Sequence, residues 1–133
     1  MTPKVSVPDF RPFPATRVVA ACAALDAAAW PAGALALRLA PDEALVFLAV
    51  SEVAVADPHA IINYEGGFQG AWVPAQVALA FLERACVWEL PSTRPAFAQG
   101  AVASIPVKLW FETDRVLFLV PAPFAVDLQD RLA

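Results

Sequence analysis

The stretch Gly66-Gly67-Phe68-Gln69-Gly70-Ala71-Trp72-Val73-Pro74-Ala75-Gln76-Val77-Ala78-Leu79-Ala80-Phe81-Leu82-Glu83-Arg84-Ala85-Cys86 decides how this chain is read. It predicts a strand end, a turn holding Trp72, and one helix. Pro74 suits the first helical position, where a missing N–H costs nothing and the fixed φ is already helical. No glycine or proline interrupts the run beyond it. Val77, Phe81 and Ala85 recur every four residues beside Ala78, Leu82 and Cys86, while Gln76, Glu83 and Arg84 gather opposite, so one face is buried and one is wet. Gly66-Gly67-Phe68-Gln69-Gly70 ahead of the helix invites a phosphate-loop reading, because free N–H groups at a helix start attract anions. It lacks the Gly-x-Gly-x-x-Gly spacing and the Lys-Ser/Thr pair of such loops. Glycine's freedom at positive φ explains it as a bulge and tight turn.

Working outward toward the N-terminus, residues 60–69 form an extended segment that Gly66-Gly67 bulges or kinks. Before it, Leu35, Leu37 and Leu39 alternate with Ala36 and Arg38, the period of a strand over 34–40. Pro41-Asp42-Glu43 makes a turn into a buried strand over 44–50, and the two strands read as a hairpin. Over 16–30, from Thr16 as N-cap to Pro31 as stop, alanine density favours helix, though Val18-Val19 suits a strand equally. Pro3, Pro8, Pro12 and Pro14 prevent regular hydrogen bonding near the start, so residues 1–15 read as an extended arm. Phe10 and Phe13 between those prolines point to an arm that docks on a partner.

Toward the C-terminus, Pro91-Ser92-Thr93-Arg94-Pro95 marks a loop. Residues 100–112 alternate through Val102, Ile105, Val107, Leu109 and Phe111, with Pro106 marking an edge or bulge. Thr113-Asp114 turns this segment into an apolar strand over 115–120, a second hairpin. Phe124, Leu128 and Leu132 against Asp127, Asp130 and Arg131 close the chain with a short amphipathic helix. The expectation is a single α+β domain over 16–133, two-layered, with helices on one face of a mostly antiparallel sheet.

Composition narrows what such a domain does. The 133 residues are 59% hydrophobic and 17% charged, with a mean hydropathy of +0.59; ordinary soluble domains are nearer ~45–50% apolar and ~25% charged. That is more apolar side chain than one small core needs, and the surplus is expected to cover itself against another protein. A membrane span needs about 20 consecutive apolar residues, and the longest runs are broken by Ser51-Glu52 and by Pro121 and Pro123, so no membrane association is expected. Ala20-Ala21-Cys22 imitates a lipoprotein junction, but Asp9, Arg11, Pro12, Pro14 and Arg17 stand where an apolar signal core would lie, which favours a cytoplasmic protein. A net charge of −4 and an isoelectric point near 4.8 argue against nucleic acid, whose phosphates reward a basic stripe.

Reactive groups are sparse. Cys22 and Cys86 sit among alanines and valines and read as small buried hydrophobes. His59 is the single histidine, in a polar Asp57-Pro58-His59 turn, too few nitrogens for a metal centre. Ser51, Ser92 and Ser104 have no neighbouring base, and Asp42-Glu43 lies in a turn where carboxylates are solvated. No catalytic, cofactor-binding or metal residue is assigned. The residues expected at a partner surface are Phe10, Phe13, Tyr64, Trp72 and Trp110, since aromatics anchor interface cores.

Three blocks resemble a known family. Leu37-Arg38-Leu39-Ala40-Pro41-Asp42-Glu43-Ala44-Leu45-Val46-Phe47 is similar to a strand, a Gly-Pro-Asp-Glu-Trp turn and a second strand. Phe68 to Ala75, continuing through Leu82-Glu83-Arg84-Ala85-Cys86-Val87-Trp88-Glu89-Leu90, is similar to a Gly-x-x-Ala helix ending in Cys-Pro-x-Asp-Leu. Phe97-Ala98-Gln99-Gly100 through to Val120-Pro121-Ala122-Pro123-Phe124-Ala125 is similar to a Phe-x-x-Gly strand with a closing Arg-Ser-Phe-Ala helix. In this order the blocks resemble the gamma subunit of heterotetrameric sarcosine oxidase, itself related to the folate-binding domain of aminomethyltransferase. Ala44 replaces the family's Trp, and Ala122-Pro123 its Arg-Ser. The resemblance implies a non-catalytic subunit, with FAD, FMN, NAD and tetrahydrofolate held by larger flavoprotein subunits that oxidise sarcosine or a related methylamine. Made alone, such a chain is expected to form homo-oligomers. The alternatives are a stand-alone folate- or anion-binding module of the same fold, and an independent enzyme using His59 with Asp57 or Tyr64.

Overall fold

Proline, glycine and short polar turns cut the apolar runs into brief segments. The computed structural model describes residues 8–133, so positions 1–7 of the expected arm lie outside the described residues. In chain order the described elements are Arg11–Pro12 (β1), Ala15–Val19 (β2), Cys22–Asp26 (α1), Ala36–Ala40 (β3), Glu43–Val46 (β4), Ile61–Glu65 (β5), Phe68–Pro74 (β6), Ala75–Ala85 (α2), Ala96–Val102 (β7), Ile105–Phe111 (β8), Arg115–Pro121 (β9) and Ala125–Leu132 (α3). They form two compact units, Met1–Phe13 with Gly67–Ala133, and Pro14–Gly66. Instead of one sheet there are two, both antiparallel, as expected of an α+β fold.

The larger unit carries the sheet β1-β6-β9-β8-β7. Side chains alternate across a strand. Ala71 and Val73 of β6, Val107, Leu109 and Phe111 of β8, and Val116, Phe118 and Val120 of β9 therefore share one face, and they form a single core with Ala78, Phe81 and Leu82 of α2 and Ala125, Leu128 and Leu132 of α3. The rings of Phe81 and Phe118 meet at 6.2 Å, tilted by 55°, a favourable edge-on aromatic contact. Fully burying a side chain such as Phe118 is worth roughly 1.5–3 kcal/mol. Both helices expected in this half are present and bury Phe81, Leu82, Leu128 and Leu132 as their spacing predicts, but Val77 and Phe124, expected on the same faces, are exposed, and Ala78 and Ala125 pack in their place.

Two expectations in this unit are corrected. The turn assigned around Trp72 is strand: β6 runs through Pro74, which is the N-cap with an extended ψ of 138°, and the helix starts at Ala75. Seven register pairs with β9, from Phe68↔Pro121 to Pro74↔Arg115, hold β6 extended, and a local turn signal cannot compete with them. The alternating segment over 100–112 is two strands, β7 and β8, joined at Ala103-Ser104, where φ is 50° and 66°. Such a two-residue hairpin normally advertises itself with Asn-Gly or Asp-Gly, and this one does not.

The smaller unit carries the sheet β3-β4-β2-β5. The expected hairpin over 34–50 is the β3–β4 pair, with a register shift between Arg38 and Ala40, and β4 ends at Val46. The helix expected over 16–30 is corrected to a strand and a five-residue helix. β2 lies centrally between β4 and β5, as in Val18↔Ala44 and Val18↔Ile62. Non-local pairing thus overrides the alanine-rich helix propensity, in the direction Val18-Val19 allowed. The arm is corrected too: residues 11–12 pair with β6 and Ala15 pairs with Glu65, so this part of it is built into sheets. Val18, Ala20, Ala24, Leu25, Ala44, Val46 and Val53 make up a small second core. No helix among the described residues is long and apolar enough to cross a membrane.

Candidate functional site

In the larger unit, the sheet face turned away from α2 and α3 gathers two of the expected partner residues. Register places Trp72 and Trp110 on either side of Leu117. The Arg115 guanidinium lies 3.6 Å over the Trp72 ring, and Arg115 Nε donates to Glu112 Oε1 at 2.8 Å. The Trp110 indole N–H donates to Glu112 Oε2 at 3.1 Å. The bond from Arg115 first, aided by that from Trp110, holds the Glu112 carboxyl below the usual carboxylate range against a smaller opposing effect of burial. Both indoles are half-buried, and Leu117 between them and Leu119, two residues further along β9, are fully buried, so this face is not a bare apolar patch. The Glu112–Arg115 pair joins the two tryptophans, and its sequence signal is the spacing of three across the turn.

Phe10 and Phe13 take different places. Phe10, expected on a docking arm, is instead 8% exposed and part of the larger unit's core. Its N–H donates to Gln129 Oε1 at 3.3 Å. Burying the ring within the chain is the stronger use of that apolar area. Phe13 is half-buried, with its N–H donating to the Phe68 carbonyl at 3.0 Å. Its ring lies against Gly70, where an added Cβ would sit 3.0 Å from the Phe13 ring and 2.9 Å from Leu119. Only glycine admits that approach.

Tyr64 belongs to the smaller unit and is 71% exposed, the tyrosine ring folding back over Gly66. It borders a groove of about 490 Å³ lined by Pro14, Phe47, Leu48, Val50 and Glu52. The groove wall is fixed by Thr16, a fully buried polar side chain whose hydroxyl donates to the Leu48 carbonyl at 2.6 Å. On the opposite face of the same sheet, Arg17 reaches across β2 to Glu43 of β4 and, at 2.9 Å, to Glu65 of β5. Burial works against its charge, but the hydrogen bonds to Glu65 and Glu43 outweigh that effect and raise the Arg17 pKa.

Asp57 accepts from the N–H of Ala21 at 2.8 Å and of His59 at 2.9 Å. The Ala21 bond, then the His59 bond, lowers its pKa. Cys86 is half-buried near the Trp88 carbonyl. Cys22, expected to be buried, is exposed at the start of α1, beside Arg38 and Asp26. A five-residue helix buries only Ala24 and Leu25, leaving Cys22 on its wet side. Among the described residues, no group of three His, Cys, Asp or Glu is placed to hold a metal.

No protein-family model matches the sequence, and no curated protein matches it. Among solved structures, the chain is similar to a chain of the heterotetrameric sarcosine oxidase from Corynebacterium sp. U-96 in complex with pyrrole 2-carboxylate. The TM-score is 0.73 over 94% of this chain and 80% of that one, at 19% identity. The likeness is one of fold, and at that level the resemblance read from the residues holds: this chain has the fold of a chain from a heterotetrameric sarcosine oxidase.

Proposed function

We propose that this chain is a non-catalytic structural subunit of a multi-subunit, sarcosine-oxidase-like flavoenzyme of the cytoplasm. In that reading the larger subunits hold FAD, FMN, NAD and tetrahydrofolate, oxidise sarcosine or a related methylamine, and pass its methyl carbon to the folate. This chain keeps the aminomethyltransferase-like fold as a scaffold. The observation that carries the reading is the fold likeness over 94% of the chain.

The test is purification of the tagged chain from its own cells. The expected result is stoichiometric recovery of a larger subunit with bound flavin absorbance and methylamine-oxidising activity. Elution as a flavin-free monomer at the chain's own 14.2 kDa would reject the proposal. Titration calorimetry of the isolated chain with tetrahydrofolate is expected to show no saturable heat; a saturable heat would favour the stand-alone folate-binding module.

A further inference from the structure

The two units differ in charge. Pro14–Gly66 holds Asp26, Asp42, Glu43, Glu52, Asp57 and Glu65 against Arg17 and Arg38 alone, whereas the acids and bases of the other unit balance, so the whole net charge of −4 falls on the smaller unit. Both its arginines are already engaged, Arg17 by Glu43 and Glu65 and Arg38 by Asp26. Glu52 has no ion pair among the described residues and stands at the rim of the groove beside Val50 and Tyr64, both exposed.

We infer that this groove seats an extended, lysine- or arginine-bearing segment of a partner protein, an apolar side chain entering between Leu48, Val50 and Tyr64 while a cation meets Glu52. The inference rests on the subunit reading for the existence of a partner and adds which surface it uses and what chemistry it brings. A volume of about 490 Å³ lies within the roughly 300–1,000 Å³ of side-chain- and ligand-sized pockets. The wall is preorganised: Thr16 holds the Leu48 carbonyl, and the turn over Val50–Glu52 is closed by the Glu52 N–H donating to the Ala49 carbonyl at 2.9 Å. A segment docking here meets a site whose ordering cost is already met. Tyr64 lies on β5, an edge strand, so an extended backbone can run beside it. A second copy of the chain is the poorer occupant. Its smaller unit would bring the same net negative charge against Glu52, and its larger unit has no net positive charge to offer, so charge favours neither pairing.

The test uses the full chain, isotope-labelled, titrated with two probes: the blocked peptide Lys-Phe-Pro-Leu-Lys and its acidic counterpart Glu-Phe-Pro-Leu-Glu. The basic peptide is expected to give saturable amide shifts confined to the segment from Phe47 to Glu52 and to Tyr64, weakening as salt rises. Glu52→Lys is expected to raise its Kd about tenfold, and Tyr64→Ala to abolish saturation. Both side chains are exposed, so both variants keep the fold. Equal binding of the two peptides, shifts elsewhere, or none at millimolar peptide would overturn the inference. So would Tyr64 shifts that follow protein concentration alone, which would mark a second copy as the occupant. The peptide titration and the flavoprotein co-purification fail separately: a recovered flavoprotein complex with silent peptides sinks the groove and leaves the subunit reading standing. Peptide binding to a chain that no flavoprotein accompanies does the reverse.

Discussion

The two units show two ways of holding a sheet together. The larger one lays α2 and α3 across a five-stranded sheet and buries Phe81, Phe111 and Phe118 with nine leucine and valine side chains. The smaller one has a four-stranded sheet, a five-residue helix, and a core in which three of seven residues are alanine. Burial is worth roughly 25 cal/mol for each Å² of apolar surface, and alanine has little to bury. The smaller unit therefore relies more on directional contacts: Arg17 bridging three strands, Thr16 on Leu48, and Asp57 on Ala21. Regions with few apolar contacts open at lower free energy, so the smaller unit is where exchange with solvent should begin.

Removing the aromatic centre of the larger unit should have the greatest effect. Phe118→Ala leaves a cavity at a fully buried site and should cost about 3–5 kcal/mol, read as a lower urea midpoint with lost amide protection in β8 and β9. A loss below about 1 kcal/mol would show that this core is not the anchor described here. The matching change in the smaller unit is Arg17→Met, which strands Glu43 and Glu65. With Arg17 about one-third exposed, solvent screening limits the loss to about 1–2 kcal/mol. Amides of β2 and β5 should exchange faster while β8 and β9 are unchanged; equal acceleration in both places would break the comparison.

The hairpin turn between β7 and β8 offers a gain. Ala103→Asn with Ser104→Gly supplies residues that accept positive φ and should stabilise the chain by about 1 kcal/mol, seen as a raised Tm. A fall in Tm would mean that the turn is held by the Ala103 N–H donating to the Ala85 carbonyl at 2.9 Å in a way the new residues disturb. The smallest effect is acid sensitivity at the Trp72–Arg115–Glu112–Trp110 cluster. Because Arg115 lowers the Glu112 pKa from its ordinary 4.5, this pair's contribution is fully present above that value and is lost as pH falls through the lower folded-state pKa. Glu112→Gln should flatten the dependence of stability on pH in that acid window. An unchanged slope would show the pair to be solvated and idle.

Elements with their own periodicity were readable in advance. α2 and α3 repeat apolar residues at the helical spacing, and β3 alternates as a strand must, so each carries its burial pattern locally. β2 was ambiguous because Ala and Val satisfy either structure, and its partners in β4 and β5 lie 24 to 50 residues away in sequence. The β7–β8 turn was hidden because Ala103-Ser104 has no turn chemistry of its own. Among the aromatics expected at a partner surface, Tyr64 is exposed, Trp72 and Trp110 are half-buried around Glu112 and Arg115, and Phe10 is absorbed into the chain's own core. An aromatic residue announces that it will be buried but not against what.

By itself, the amino-acid sequence determined the α+β class, the hairpin over β3 and β4, the two amphipathic helices of the larger unit, the scarcity of reactive groups and, through its ordered motifs, the likeness to a sarcosine oxidase chain. Tertiary structure alone decided that there are two sheets, that β2 is a central strand, that Thr16 and Arg17 organise the smaller unit, and that Glu52 stands at the rim of an open apolar groove. The reason is physical. Periodicity and composition act over a few residues and are written along the chain, whereas strand partners, ion pairs and groove walls join residues far apart in sequence and exist only once the sheets have closed.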